Sequence, residues 1–360
     1  MILAGGNGTR LHPLTMSAPK PLLPLFSKPV MEHSIDLLCR HGIQDIIVAL
    51  SSESQEIAEH FGDGSKWGVN IRYSLEEEPK GTAGAVKLVQ PYIDDTFIVV
   101  SGDAVTDFDL TAALDFHKRR SAIATMLLHQ VEDPTDFGIV QHEPDGRITR
   151  FLEKPRSSEV FSSTINAGIY VLEPEALSCI PYFTVYDFAR DLFPRMLRNM
   201  EPVYGCRLPG YWCDVGNLNQ YRNAHFDALT GKAQLDITGS EVEPGVWIGE
   251  DAEVHQTAEL VGPLFLGTGA EVRKNATLKP FAVIGENSLV DEAASVARSI
   301  VGSGALIGKG TRITDCVIGC GLKVNELQRM TNRVVHEDSQ IAVLGAEPIN
   351  QPLDLKIPAY

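Results

Sequence analysis

Six short stretches of the chain carry residues whose types and spacing suit the binding and chemistry of a phosphate ligand. Leu3-Ala4-Gly5-Gly6-Asn7-Gly8-Thr9-Arg10-Leu11 breaks a brief apolar run with a glycine cluster and an arginine, and Pro19-Lys20-Pro21 follows. Glycines let the backbone take positive φ and approach a ligand closely, so successive N–H groups can turn onto an anion. Arg10 and Lys20 add two positive charges beside those donors, which is the make-up of a loop that holds a polyphosphate and neutralises it. Asp103, behind Ser101-Gly102, and Asp214, within Trp212-Cys213-Asp214-Val215-Gly216, are carboxylates placed at the ends of two separate segments. Such a pair can hold Mg²⁺, which keeps several waters and takes substrate phosphate oxygens as further ligands. Each aspartate can equally cap the turn or helix that follows it. Glu153-Lys154-Pro155 sets an acceptor beside a cation, either as a binding pair or as an exposed ion pair. Gly81-Thr82-Ala83-Gly84-Ala85 opens a helix with small residues, against which a flat ring or the neighbouring sheet can pack.

The elements that must position these residues alternate. A helix over 30–41 stops at Gly42, and the continuous apolar run Ile46-Ile47-Val48-Ala49-Leu50 suits a strand buried on both faces. A helix over 54–61, a strand over 69–74, a helix over 82–89 and the buried strand Phe97-Ile98-Val99-Val100 follow. Strands alternating with helices imply a doubly wound, mostly parallel α/β sheet, in which ligands bind beyond the carboxyl ends of the strands. The Gly5 loop and Asp103 both fall at such ends. The next section is more mixed, with strands expected over 122–129, 137–141 and 165–172, a turn at Asp145-Gly146, and helices over 187–197 and 218–229. The first domain is expected to span 1–235.

Beyond it the period changes. Aliphatic residues recur every six positions from Ile248 through Val254, Leu260, Leu266, Val272, Leu278, Ile284 and Val290 to Val296. The series drops one residue and resumes at Val301, Ile307 and Ile313, then drops another before Ile318 and Val324. No α-helix has that period; a hexapeptide repeat marks a parallel β-helix, each inward aliphatic stacking on the one a coil away. Gly249, Gly267 and Gly285, eighteen apart, line one corner of a triangular coil, so a left-handed β-helix of some four coils is expected over 236–325. Residues 326–360 show no repeat and carry no assignment.

Composition sets outer limits. The 360 residues are 44% hydrophobic with a net charge of −16, so neither nucleic acid nor an anionic membrane suits the chain as a bulk partner, and a phosphate site must be a local positive pocket. The six cysteines form no Cys-x-x-Cys pair, as expected for reduced, mostly buried thiols in a cytoplasmic protein. The glycines interrupt the first apolar run too early for a secretory signal, and no stretch approaches the roughly 20 apolar residues of a membrane span.

Together these motifs resemble the sugar-1-phosphate nucleotidylyltransferases. The resemblance runs from the Leu3–Leu11 loop and Pro19-Lys20-Pro21 through Gly81-Thr82-Ala83-Gly84, Gly102-Asp103, Phe137-Gly138-Ile139-Val140, Glu153-Lys154-Pro155, Asn166-Ala167-Gly168 and Asp214-Val215-Gly216, in the family's order. A hexapeptide domain behind them is also a family arrangement. Family members carry two or three more residues ahead of the position of Ile2, so a short first strand, from an early truncation or a misassigned start, is expected. The resemblance implies attack of a sugar-1-phosphate oxygen on the α-phosphorus of a nucleoside triphosphate. In it, Leu3, Ala4, Gly5, Gly6, Gly8, Thr9, Arg10, Gly81, Thr82 and Gly102 contact the nucleotide, and Lys20 lies near the reacting phosphates. Gly138, Glu153, Lys154 and Asn166 take the sugar phosphate, and Asp103 and Asp214 bind Mg²⁺. The segment Gly81–Gly84 behind Glu78-Pro79 looks most like members that join GTP and mannose 1-phosphate, with glucose-1-phosphate thymidylyl- or uridylyltransferases as the alternative. Two other classes fit less well: an acyltransferase needs a base and His255 is the only histidine within the repeat, and a non-catalytic regulatory paralogue tends to lose the charged residues kept here. Flat coil faces suit self-association, so a homo-oligomer, a dimer through the β-helix, is expected.

Overall fold

Ile2 and Leu3 form a strand only two residues long, yet they lie at the centre of a sheet. In the computed structural model, which describes all residues except 7, 17, 53, 337–340 and 344–360, Ile2 pairs in parallel with both Val48 and Val100. Ile2 is fully buried. The chain forms two compact units, Met1–Gly6 with Ser34–Trp212, and residues 7–33 with 213 onward. The expected boundary near 235 follows a change of composition, whereas the compact units divide at 6/7, 33/34 and 212/213. The glycine loop is itself divided, Leu3–Gly6 belonging to the first unit and Gly8 onward to the second.

The first unit is built on a nine-stranded sheet. Phe97–Ser101, Ile2–Leu3, Asp45–Ser51 and Asn70–Glu76 lie side by side in parallel, as their continuous apolar runs require. The second half of the sheet is chiefly antiparallel: Thr164–Leu172 runs opposite both Phe97–Ser101 and Ala124–Gln130, and Gly138–His142 opposite Ile148–Glu153. The link between Gly138–His142 and Ile148–Glu153 is too short for a parallel crossover, which needs a dozen residues or more. Asp145-Gly146 makes the expected turn, with Gly146 at φ 96°. The core beside this half packs Tyr170, Phe188 and Phe193, the last two rings stacked with centroids 5.7 Å apart.

The second unit contains three parallel sheets that share their coils, the triangular β-helix of the hexapeptide pattern. Val246 to Leu264 and Leu264 to Ala282 are steps of eighteen residues, whereas Ala282 to Ser299 is a step of seventeen, as are the later coils. The two drops in the repeat are thus a change of coil length. The coils also continue beyond 325: Met330 stacks on Ile313 and Val335 on Ile318, each seventeen residues on. Methionine at 330 and exposed polar residues around it mask the pattern there, and residues 337–340 and 344–360 lie outside the described residues. One face is closed at each end by an antiparallel strand, Ser240–Glu243 on Val246–Ile248 and Ile341–Val343 on Arg333–Val335.

The helix Leu218–Leu229 packs on the coils through Phe226, whose ring lies 4.7 Å from that of Phe281, and through Arg222, 3.2 Å from Asp315. Its His225 is buried and accepts the Phe26 N–H at Nε2, 3.1 Å away, while Nδ1 lies 3.0 Å from the Tyr221 carbonyl. An acceptor role at one nitrogen and a donor role at the other define a neutral imidazole. Burial lowers the His225 pKa to about 3. Unfolded His225 takes up a proton below about pH 6.5 while the folded form does not, so between pH 6.5 and about 3 this residue is expected to remove about 1.4 kcal/mol of stability per pH unit. Urea unfolding as a function of pH checks this, and a His225→Gln variant should show a shallower acid slope.

Of the six cysteines, Cys206 and Cys316 are buried, Cys39, Cys179 and Cys213 half-buried, and Cys320 exposed, and none is in a disulfide. Among the described residues no helix is long and apolar enough to cross a membrane.

Candidate active site

In the second unit the loop after Gly8 brings three charges together. Gly8 adopts φ 58° and caps the short 3₁₀ turn Thr9–Leu11. A Cβ at position 8 would sit 3.0 Å from the Lys20 Cβ and 3.1 Å from the Thr15 Cγ2, so glycine here serves both the left-handed backbone and the close approach of Lys20. The Thr15 hydroxyl donates to the Gly8 carbonyl at 2.8 Å and closes the loop. Pro19 is extended, and Lys20 opens a second 3₁₀ turn, Lys20–Leu22.

Only 6% of the Lys20 side chain is exposed, and its Nζ lies 3.3 Å from Asp214 Oδ1. Arg10 Nη2 is 4.0 Å from Asp214 Oδ2, with the arginine more than half exposed. Asp214 is the shared partner of both cations. Gly216 lets it sit there, because a Cβ at 216 would be 2.7 Å from Asp214 Oδ2 and 3.2 Å from Arg10 Nη2. Gln220 accepts the Gly216 N–H at 3.1 Å, and Asn217 caps the helix Leu218–Leu229 by accepting the Gln220 N–H at 2.9 Å. Gln220 is a positioning group that the motif alone did not reveal; its place one turn into a capped helix was the available signal.

In the first unit, Leu3 and Ala4 run to the carboxyl end of their strand, where Ala4 N–H donates to Ala49 O at 3.0 Å and Gly102 N–H to Leu3 O at 2.8 Å. A Cβ on Gly102 would meet Ile2, Leu3 and Ala4 at 3.0–3.3 Å, so glycine allows the strand ends to lie against each other. Gly5 and Gly6 are exposed. Asp103 follows, half-buried, its Oδ1 accepting from the Ser101 hydroxyl. Asp103 belongs to the first unit and Asp214 to the second.

Also in the first unit, Gly138 lies directly opposite Glu153 in the hairpin. A side chain at 138 would come within 2.7 Å of Glu153 Oε2, so the glycine opens room for that carboxylate. Burial, and then the charge of Asp187, raise the Glu153 pKa above the ordinary carboxylate value, against Lys154 and Arg190. Lys154 is exposed at φ 46°, its N–H donating to Phe137 O at 3.0 Å; the neighbours Glu153 and Lys154 form no ion pair. Asn166 donates to the Tyr170 hydroxyl at 2.8 Å and accepts from the Gly168 N–H at 2.9 Å, across a register shift between 166 and 170. Burial also raises the Tyr170 pKa.

Gly81 and Gly84 show a packing role. Cβ atoms there would lie 2.6 Å from Tyr186 O and 3.0 Å from Thr184 O, so the space glycine leaves is taken up by backbone of 184–186. The Thr82 hydroxyl donates to Asp187 Oδ2 at 2.8 Å.

Among the described residues no group of three or more His, Cys, Asp or Glu is placed to hold a metal. Mg²⁺ bound through one or two carboxylates and substrate phosphates needs no such cluster, and the carboxylate oxygens that Asp103 offers in the first unit and Asp214 in the second are of the donor type it takes. This donor chemistry fits Mg²⁺.

The nucleotidyl transferase family profile matches residues 1–231, and a profile described as the GMPPB C-terminal domain matches 260–348. The chain therefore belongs to the nucleotidyl transferase family and is an enzyme of that class. It is 36% identical over 316 residues to a UTP–glucose-1-phosphate uridylyltransferase of Synechocystis sp., a match covering 83% of this chain and 81% of that protein. It is 36% identical over 301 residues to a mannose-1-phosphate guanylyltransferase of Mycobacterium tuberculosis, covering 83% and 82%. A crystal structure from Bacillus anthracis, named for glucose-1-phosphate thymidylyltransferase and holding sucrose, matches with a TM-score of 0.56 and 27% identity over 62% of this chain and 92% of that one. The names of these relatives share a sugar 1-phosphate and differ in base and sugar.

Proposed function

We propose that this enzyme transfers a guanylyl group from GTP to mannose 1-phosphate, releasing pyrophosphate and GDP-mannose. The observation that carries nucleotidyl transfer is the buried Lys20 paired with Asp214 behind the glycine loop, a fixed positive charge at the end of a phosphate-binding motif. The likeness to the Mycobacterium tuberculosis guanylyltransferase supports the choice of base and sugar, as does the Gly81–Gly84 segment behind Glu78-Pro79.

A phosphate oxygen of mannose 1-phosphate attacks the α-phosphorus in line; the new O–P bond forms as the bond to the bridging oxygen of pyrophosphate breaks. No group on the enzyme becomes covalently bound, so catalysis is positioning and charge neutralisation. Arg10 and the N–H groups of the loop hold the leaving pyrophosphate, with Leu3, Ala4, Gly5, Gly6, Gly8, Thr9 and Gly102 lining the nucleotide. Lys20 neutralises charge that builds on the α-phosphate. Gly81 and Thr82 face the base. Lys154 takes the sugar phosphate, and Glu153 and Asn166 bond hexose hydroxyls, with Gly138 leaving them space. A divalent cation such as Mg²⁺, held by Asp103 and Asp214, supplies further neutralisation of the phosphates when bound. A cytoplasmic homodimer formed through the coils completes the reading.

A second reading, glucose 1-phosphate with UTP or dTTP, draws on the equally similar Synechocystis relative. Pyrophosphate release measured with mannose 1-phosphate and glucose 1-phosphate against each triphosphate separates the two. GTP with mannose 1-phosphate is expected to be fastest; a preference for UTP or dTTP with glucose 1-phosphate would replace the first reading by the second.

A further inference from the structure

Residues 184–193 of the first unit touch both the helix opening at Gly81 and the surroundings of Glu153, and the reaction as drawn gives them no part. Asp187 is the node of this segment. Its Oδ1 accepts the N–H groups of Ala189 and Arg190 at 2.9 and 3.1 Å, and its Oδ2 accepts the Thr82 hydroxyl at 2.8 Å. The Thr82 oxygen accepts the Phe188 N–H at 3.0 Å, and Ala83 and Gly84 donate to Tyr186 O at 3.0 and 2.9 Å. The turn after Gly81 is therefore pinned to 186–188 by four hydrogen bonds. The ring of Phe188 lies 4.7 Å from that of Tyr170, whose hydroxyl receives Asn166. The charge of Asp187 acts on both Glu153 and Tyr170. Glu153 faces Asp187 as a repelling neighbour and Lys154 and Arg190 as attracting ones. No protein group donates a hydrogen bond to its carboxylate among the described residues.

We propose that Asp187 is a positioning residue that couples the Gly81-Thr82 turn, on the nucleotide side, to the Glu153 carboxylate and Asn166, on the sugar side. It rests on the reading of Thr82 and Glu153 as substrate contacts given above. Three hydrogen bonds fix the Asp187 carboxylate, two from its own turn and one from Thr82, so a shift of the Thr82 turn carries the carboxylate and its charge along. Hydrogen bonds from neutral donors are each worth a modest amount, but these are made to an ionised acceptor and are correspondingly stronger.

Two measurements test the coupling. The carboxyl titration of Glu153 can be followed by NMR on protein labelled at the glutamate side-chain carboxyl carbon and assigned by the signal lost in Glu153→Gln. In Asp187→Asn, which keeps the shape of the cap and removes its charge, the Glu153 midpoint should move to lower pH; an unmoved midpoint overturns the proposal. Second, Thr82→Val should raise KM for the sugar 1-phosphate by up to about tenfold, the value of one such hydrogen bond. Thr82→Ser, which keeps the hydroxyl, should restore it. A sugar-1-phosphate KM within twofold of wild type in Thr82→Val, with only the triphosphate affected, also overturns it. The titration needs no substrate and KM is measured with whichever pair the wild-type enzyme turns over, so the outcome stands apart from the choice of GTP and mannose.

Discussion

Lys20→Met is expected to lower kcat/KM for nucleotidyl transfer by about a thousandfold, the size of effect seen when one fixed donor to a developing charge is removed. Methionine preserves the length and the burial of the stem, so the change removes the ammonium and little else. That ammonium is held nearly out of solvent, 6% exposed and 3.3 Å from Asp214, where a charge acts more strongly than at an open surface. Its position is set by the backbone on both sides: Pro19 fixes the entry, and Gly8 lies against its Cβ. Lys20→Arg should not rescue, because a planar fork replaces a compact point charge at a site built around the latter, and a loss of at least about tenfold is expected. Steady-state pyrophosphate release gives the rates, and a melting temperature within a few degrees of wild type shows that the fold is intact. A Lys20→Met enzyme keeping a tenth of its activity would remove Lys20 from the reaction.

The largest stability effect is expected in the coils. Gly302→Ala places a Cβ 2.6 Å from Cys320 N and 2.8 Å from Gly319 C, both backbone atoms of the next coil. Those atoms cannot yield without parting the pairing of Val301 with Ile318. A cost of about 3 kcal/mol is expected, the upper part of the range for overpacking a filled interior. Gly321→Ala is the control. Gly321 adopts φ 70° with no atom within 4 Å of an added Cβ, so only the dihedral cost of about 1 kcal/mol applies. Urea unfolding of the two variants separates contact from conformation; equal losses would mean that coil spacing does not constrain the corner.

These two cases show what could be read from the residues and what could not. The repeat was plain because a period of six belongs to no other architecture, and the corner glycines stood out at steps of eighteen. That their purpose is contact with the next coil, rather than positive φ, depends on distances that only the folded coils provide. In the first unit the parallel strands were legible from their unbroken apolar runs. The antiparallel half was harder to place, since strand order there depends on which edge each hairpin joins. Arg10, Lys20 and Asp214 were named by motif, and their convergence follows from Gly8 and Gly216 clearing space on either side. Asp187 went unnoticed because an aspartate before a helical turn reads as a cap. It is one, and its second oxygen bonds to a residue 105 positions away.

The reversed strands at the two ends of one coil face bear on how large an assembly this chain can make. A stack of parallel strands has no inherent last member; each edge repeats the pattern of the one before and can template another. Here Ser240–Glu243 and Ile341–Val343 present the opposite polarity at the two ends of that face. A second molecule's coils cannot continue the parallel ladder in register there. The parallel ladder of this face therefore stops at a strand of opposite direction at either end, whereas the other two coil faces carry no such strand among the described residues, so on this face alone a further coil would have to pair with a reversed edge.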